Sequence, residues 1–149
     1  MGVKAQPWAN VTTNVTAFDS EIDDFQSQVV NAGVGVLRGY LANAERVRVR
    51  GLEIDASLAV SRAVSFYASA ALTDGKYVSF KDAPPPLEDT GGPQVKDVSG
   101  TQLPGISKSA ISFGGEYARP AGGFGYTGQI FAAFDASYRS SFSSSASAS

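Results

Sequence analysis

Apolar and polar residues alternate along most of this chain, in runs that are long for strands and carry almost no helical period. Over residues 11–26, Val11, Thr13, Val15 and Ala17 fall on one side of an extended backbone, and Thr12, Asn14, Thr16 and Phe18 on the other. Within 44–60, Leu52, Ile54, Ala56, Leu58 and Val60 oppose Glu53, Asp55, Ser57 and Ala59. Within 63–78, Val64, Phe66, Ala68, Ala70 and Leu72 oppose Ser65, Tyr67, Ser69 and Thr73. Residues 108–118 set Ile111, Phe113 and Tyr117 against Ser112, Gly114 and Glu116. Residues 126–138 line up Tyr126, Ile130, Ala132, Phe134, Ala136 and Tyr138 on one side. A period of two means strands. With a short strand over 2–6 ahead of the first turn, the pattern predicts six.

The connections alternate in length. Trp8 to Asn10, Ser61-Arg62 and Pro120 to Gly125 are short turns. The Gly-rich stretch 29–41 and the stretch 79–107 are read as long loops, the second broken by Pro84-Pro85-Pro86, Gly91-Gly92-Pro93 and Pro104-Gly105. Short turns at one rim and long loops at the other describe an antiparallel, up-and-down arrangement. Transmembrane barrels have this asymmetry, with short periplasmic turns and long outer loops.

A soluble sandwich also alternates, with its apolar side as the core. Three features favour a membrane. The apolar stripes Leu52–Val60 and Val64–Leu72 match the roughly 9–11 residues of a tilted membrane strand, where soluble strands run about 5–6. Tyr126 and Tyr138 end one apolar stripe, roughly 28 Å apart in height for a tilted strand, close to the spacing of aromatic girdles. The opposite side carries Glu53, Asp55, Glu116, Gln129 and Asp135, which suit a wet lumen and are costly in a dry core. The expected fold is therefore all-β: an antiparallel up-and-down transmembrane β-barrel segment of about six strands, incomplete as a barrel.

Composition narrows the chemistry. The 149 residues contain no Cys and no His, and the formal net charge is −2. That excludes disulfide scaffolds, thiolate metal sites, His-based triads and the common catalytic zinc sites. Ser-Lys and two-carboxylate chemistry stay formally open, but no constellation supports an enzyme. The slight acidity argues against nucleic acid as a partner. No apolar run approaches the roughly 20 residues of a membrane helix. Met1 to Pro7 lacks the apolar stretch of a signal peptide, so the expectation is either a cytosolic protein or a native start lying further upstream.

Several stretches carry a family resemblance. Asn43-Ala44-Glu45-Arg46-Val47-Arg48-Val49-Arg50-Gly51-Leu52-Glu53-Ile54-Asp55 resembles the barrel signature of TonB-dependent receptors: Asn-Ala, a basic run, then Gly, an aliphatic residue and Glu. Phe18 with Ile22-Asp23-Asp24-Phe25 looks like the preceding strand, and Leu72-Thr73-Asp74-Gly75-Lys76-Tyr77 like the end of the next. Leu103 to Lys108, then Gly114-Gly115-Glu116-Tyr117, is similar to the re-entry after a long outer loop; Tyr138 to Phe142 resembles an exit into the following one. These stretches follow the family's order along essentially the whole chain. Family barrels have about 22 strands, so the resemblance implies six strands from the later part of the wall. The family's plug domain, its TonB-contacting box and its aromatic-ended closing strands have no counterpart in these residues. Six strands leave two open edges, and no uptake is expected from them alone.

The resemblance implies a bacterial outer-membrane receptor for energised uptake of a scarce nutrient, most often a ferric siderophore, with cobalamin or oligosaccharides as other cargo. Its implied partners are outer-membrane lipid and lipopolysaccharide and, in a complete receptor, the plug domain, TonB and the nutrient. Alternatives are a passive porin-like or adhesin barrel and a soluble all-β binding module. No catalytic, cofactor-binding or metal residue is nominated, and no substrate-contacting residue can be chosen.

A few motifs need separate reading. Arg46, Arg48 and Arg50 share one side of their strand. With no bulge they point outward, toward lipopolysaccharide phosphates; a bulge at Gly51 would turn them into the lumen. Glu21, Asp23 and Asp24 lack the spacing of a calcium loop and read as a solvated rim. Gly123 to Gly128 spells a dinucleotide motif, but strand residues follow it where that chemistry needs a helix, so these are turn glycines. The Asn10 and Asn14 sequons are read as chance. Glu53 and Asp55 are read as lumen-lining carboxylates and not as an acid–base pair.

Overall fold

The computed structural model describes residues 1–33, 36–83, 95–123 and 125–143, with the backbone alone for 27–41 and 126. Six strands form one antiparallel sheet in sequence order: β1 (Gly2–Trp8), β2 (Val11–Gly33), β3 (Val36–Ala59), β4 (Val64–Ser79), β5 (Ser109–Gly123) and β6 (Tyr126–Arg139). β1 and β6 are not paired with each other, so the sheet is open. The up-and-down, all-β expectation is met.

Two expected connections are shorter than the sequence suggested. The loop placed at 29–41 is largely strand: β2 runs to Gly33 and β3 resumes at Val36. Its glycines blur the alternation, but backbone pairing does not need alternating side chains. The turn placed at Pro120 to Gly125 is also mostly strand, because Pro120 pairs with Gln129 and Gly123 with Tyr126. Proline is tolerated there for a geometric reason. Ala118 donates its N–H to Ala63 O at 2.8 Å, and the nitrogen two residues on faces the same way, past the start of β4 at Val64. No acceptor waits for the missing donor. Gly125 closes the hairpin with φ 82°, a conformation that suits glycine.

The chain divides into two compact units. The first comprises Met1–Ala17, Gly51–Leu72 and Lys108–Ser140; the second comprises Phe18–Arg50, Thr73–Ser107 and Ser141–Ser149. In the first unit the register aligns the sides read from the sequence. Phe66 faces Gly115, which faces Phe134; Ala68 faces Phe113, which faces Ala136; Ala70 faces Ile111, which faces Tyr138. The polar rows interleave with these: Ser69, Ser112 and Ser137 in one, Tyr67, Gly114 and Asp135 in the next. Gly114 and Gly115 make room on both sides. A Cβ on Gly114 would run into the Tyr67 ring, and one on Gly115 would run into Phe66.

The second unit is built differently. Past Leu72 the β4–β5 register slips. Leu103 N–H donates to Gly75 O at 2.9 Å, Tyr77 N–H to Thr101 O at 3.0 Å and Val98 N–H to Phe80 O at 2.9 Å. Lys76 bridges to Gln102 and Ala83 to Lys96. The descending leg of the long connection therefore continues the hairpin, and Pro104-Gly105 lies where the register jumps. Over it Ala44, Val47, Tyr77, Phe80, Ala83, Val98 and Leu103 form a buried cluster, joined by the half-buried Phe25, Ala42, Val49 and Ile106. Gly75 is the close approach that allows this, since a Cβ there would strike Ile106.

Candidate functional site

Among the described residues there is no group of carboxylates that could hold a metal ion. The functional candidates are surfaces: two on the first unit and one on the second.

The first is the apolar side of the first unit. Phe66, Leu72, Ile111, Phe113, Ile130, Phe134 and Tyr138 are all exposed, Ile130 at 62% and Leu72 at 57%. Phe113 and Phe134 meet edge to face with centroids 6.1 Å apart. Full burial of each such side chain is worth about 1.5–3 kcal/mol, so a contiguous patch of them marks contact with something apolar. Every member of the buried cluster lies in the second unit. Leu52, Phe66 and Phe134 do not meet in a sealed interior: Phe66 is 42% and Phe134 50% exposed. Two residues break the separation of sides. Arg119 pairs with Ile130 on the apolar side near the short hairpin, and Phe131, opposite Ala118, sits on the polar side. Tyr138 ends the apolar row as expected; the side chain of Tyr126, its proposed counterpart, lies outside the described residues.

The second surface is the polar side of the same unit. Glu53, Asp55, Ser69, Ser112, Ser137 and Arg139 border an open hollow. The hydroxyls of Ser69 and Ser112 are hydrogen-bonded at 2.7 Å, the sort of cross-strand pair that supports a sheet without needing burial. Such a side is comfortable only in water or against polar groups.

The third surface belongs to the second unit. Val47 is buried and Val49 packs beside it on the cluster, so Arg46, Arg48 and Arg50 take the opposite side. None of the three is unpartnered. Arg46 Nε lies 2.7 Å from Asp23 and 3.1 Å from Glu21. Arg48 clasps Asp19 with two donors, Nε at 2.7 Å and Nη2 on the other oxygen. Arg50 Nη2 reaches Asp74 Oδ2 at 3.1 Å, and Lys76 Nζ takes Asp74 Oδ1 at 3.3 Å. Gly51 is not among the glycines with positive φ. The irregular positions lie elsewhere: Asp24, with φ 55°, and the Ala44–Val47 interval, where two buried residues three apart break the alternation.

Sequence reasoning set the arginine stripe and the Glu21–Asp23 rim apart; the register joins them. Asp19, Asp74 and Lys76 were missed, because cross-strand partners are not written in one strand's spacing. The buried cluster was missed as well. Its only sequence signal is a scatter of apolar residues (Phe80, Val98, Leu103, Ile106) inside a Pro- and Gly-rich stretch. Gly123 and Gly125 serve a hairpin, with strand β6 after them. Asn10 ties its turn to the end of β3, its side-chain amide donating to Ala59 O at 3.3 Å.

The family model described as "TonB dependent receptor-like, beta-barrel" matches residues 2–148. No curated protein matches the chain, and no solved structure does.

Proposed function

Because the chain belongs to the TonB-dependent receptor β-barrel family, a family of outer-membrane receptors and transporters, we propose that its six strands form part of the wall of such a receptor. The apolar side of the first unit faces acyl chains, the polar side faces an aqueous lumen, and the long connections face outward to contribute to nutrient capture. The observation that carries this reading is the contiguous exposed apolar side running across β4, β5 and β6. A soluble module would bury it, and the family membership supports a receptor over the passive porin and adhesin alternatives.

The nutrient we favour is a ferric siderophore, with cobalamin and oligosaccharides behind it. The wall is passive in this scheme. Energised movement belongs to a plug domain and TonB, and a six-stranded open sheet performs no uptake alone. The boundaries proposed for the wall strands are those of β1 to β6, with outer connections at the β2–β3 and β4–β5 ends.

Fractionation of cells producing the gene product tests the location. The expected result is co-sedimentation with outer membranes and a heat-modifiable band on gels. A monodisperse soluble monomer in buffer without detergent would remove the membrane reading. Growth under iron limitation on a panel of ferric siderophores then tests the cargo. Restoration by cobalamin or oligosaccharide, and by no siderophore, would redirect it.

A further inference from the structure

The ion-pair ladder of the second unit satisfies itself: Arg46, Arg48, Arg50 and Lys76 each lie against a carboxylate. The polar side of the first unit does not. Among the described residues no ion pair or side-chain hydrogen bond engages Glu53, Asp55 or Arg139. All three line one hollow of about 570 Å³, which lies wholly within the first unit. Small-ligand sites commonly hold about 300–1,000 Å³.

The sheet puts opposite charges on opposite banks of this hollow. Glu53 and Asp55 stand two apart on β3 and share its side. Arg139 ends β6, in the directly paired row Ala71, Ala110, Arg139, whose two alanines leave room. From β3 to β6 is three inter-strand steps, about 14 Å. That is too far for a direct ion pair and exceeds the screening length of about 8 Å at physiological salt, so neither bank neutralises the other. Between the banks run Ser69, Ser112 and Ser137, one paired row across β4, β5 and β6. Ser69 and Ser112 spend a single proton on each other. A hydroxyl has one donor and two acceptor sites, so the row keeps donors and acceptors for a guest.

These groups are selective. A simple anion is repelled by the two carboxylates, and an apolar guest leaves every charge unmet. The matching guest is cationic at one end, anionic at the other and hydrogen-bonding between. Four extended residues of peptide span about 14 Å, the distance between the banks.

We propose that this hollow is a binding site for a zwitterionic, peptide-like ligand, with its ammonium on Glu53 and Asp55 and its carboxylate on Arg139. The serine row meets the amides between them, and the guanidinium can take the carboxylate with two parallel bonds. The proposal rests on the reading of the polar side as a lumen wall, and it adds a demand on the cargo: opposite charges at its two ends.

The test uses the detergent-extracted gene product and three probes, tetraglycine, N-acetyl-tetraglycine and tetraglycine amide, titrated by saturation-transfer NMR. Tetraglycine should bind about fivefold more tightly than either capped form, as expected for one exposed charged contact. Arg139→Gln should erase the preference for the free carboxylate and keep the preference for the free amine. The double variant Glu53→Gln/Asp55→Asn should do the reverse. Asp135→Asn removes a carboxylate on the same side of the sheet but outside the hollow, and it should change neither preference. Equal binding of all three probes by the unaltered protein overturns the site. So does loss of a preference in Asp135→Asn, which would mean a diffuse charge effect. A gene product that fractionates as a soluble monomer overturns the proposal at a different level, by removing the lumen wall itself, and fractionation tells that failure from loss of the site.

Discussion

The two units of this chain obey opposite rules of burial. The second hides Tyr77, Phe80 and Val47 almost completely and puts charges on the other side of the strand that carries Val47. The first leaves Phe66, Phe113, Phe134 and Leu72 in the open and tucks away only small residues such as Gly114 and Gly115. Both are made of the same long strands, so the contrast does not come from secondary structure. On the proposed reading, it comes from the solvent each unit is built for. Water forces apolar side chains of a loop-and-strand unit into a private cluster. Hydrocarbon removes that force and leaves only the demand that backbone groups be paired, which the ladder meets.

The sharpest way to break the comparison is to remove the cluster's centre. Phe80 is 2% exposed and its ring lies 5.1 Å from that of Tyr77. Phe80→Ala should cost about 3–5 kcal/mol within the second unit. Hydrogen exchange should show it at the amides of Val98, Thr101 and Leu103, which bond to Phe80, Val98 and Gly75. The β5–β6 amides should keep their protection. Loss of protection in both places would mean that the cluster supports the whole sheet and that the two units are not separate in energy.

A smaller effect separates the two sides of the first unit. Ala68 sits mid-strand on the apolar side, opposite Phe113, and its neighbour Ser69 faces Ser112. Ala68→Arg should destabilise the bilayer-inserted protein by about 2–4 kcal/mol, the cost of a cation at the lipid face near the midplane. Ser69→Arg should be close to neutral, because it enters water. Urea titration in liposomes checks both. Equal penalties would mean that neither side touches lipid.

How much of this was legible beforehand follows from the same contrast. Where the two sides of a strand differ in polarity, every second residue is constrained, and Phe66, Ala68 and Ala70 announced their side before any pairing was known. Where that difference fades the constraint lapses. Residues 29–41 looked like a loop because their glycines blur the alternation in the sequence, although β2 runs to Gly33 and β3 starts at Val36. The cluster of Phe80, Val98 and Leu103 was illegible for another reason: its contacts are set by a register slip near Pro104-Gly105, which spacing alone does not reveal. The charged ladder was half legible. The Arg46–Arg50 stripe has an evident period, but its partners Asp19 and Asp74 lie on neighbouring strands, at positions fixed only by cross-strand register.

The smallest effect probes the tip of the second unit. Asp97 accepts the Ser99 N–H at 2.9 Å, and the Ser99 hydroxyl oxygen in turn accepts the Phe80 N–H at 2.9 Å. The hydrogen bonds from Ser99, side chain first and then backbone, hold the Asp97 carboxyl below its ordinary value, with Lys81 adding a weaker pull. A carboxylate depressed in the folded state supports folding above its unfolded pKa, near 3.9, and that support is lost as pH falls through the lower, folded value. The Phe80 amide should therefore keep constant protection from neutral pH down to about 5 and lose some below about 4. Asp97→Asn should flatten that acid limb and leave the neutral-pH protection nearly unchanged, since an amide oxygen can still accept from Ser99. An acid limb that survives the substitution would place the titrating group elsewhere in the connection. The β5–β6 amides are bonded within their own ladder and should show no such limb in either protein, which makes them the internal reference for the measurement.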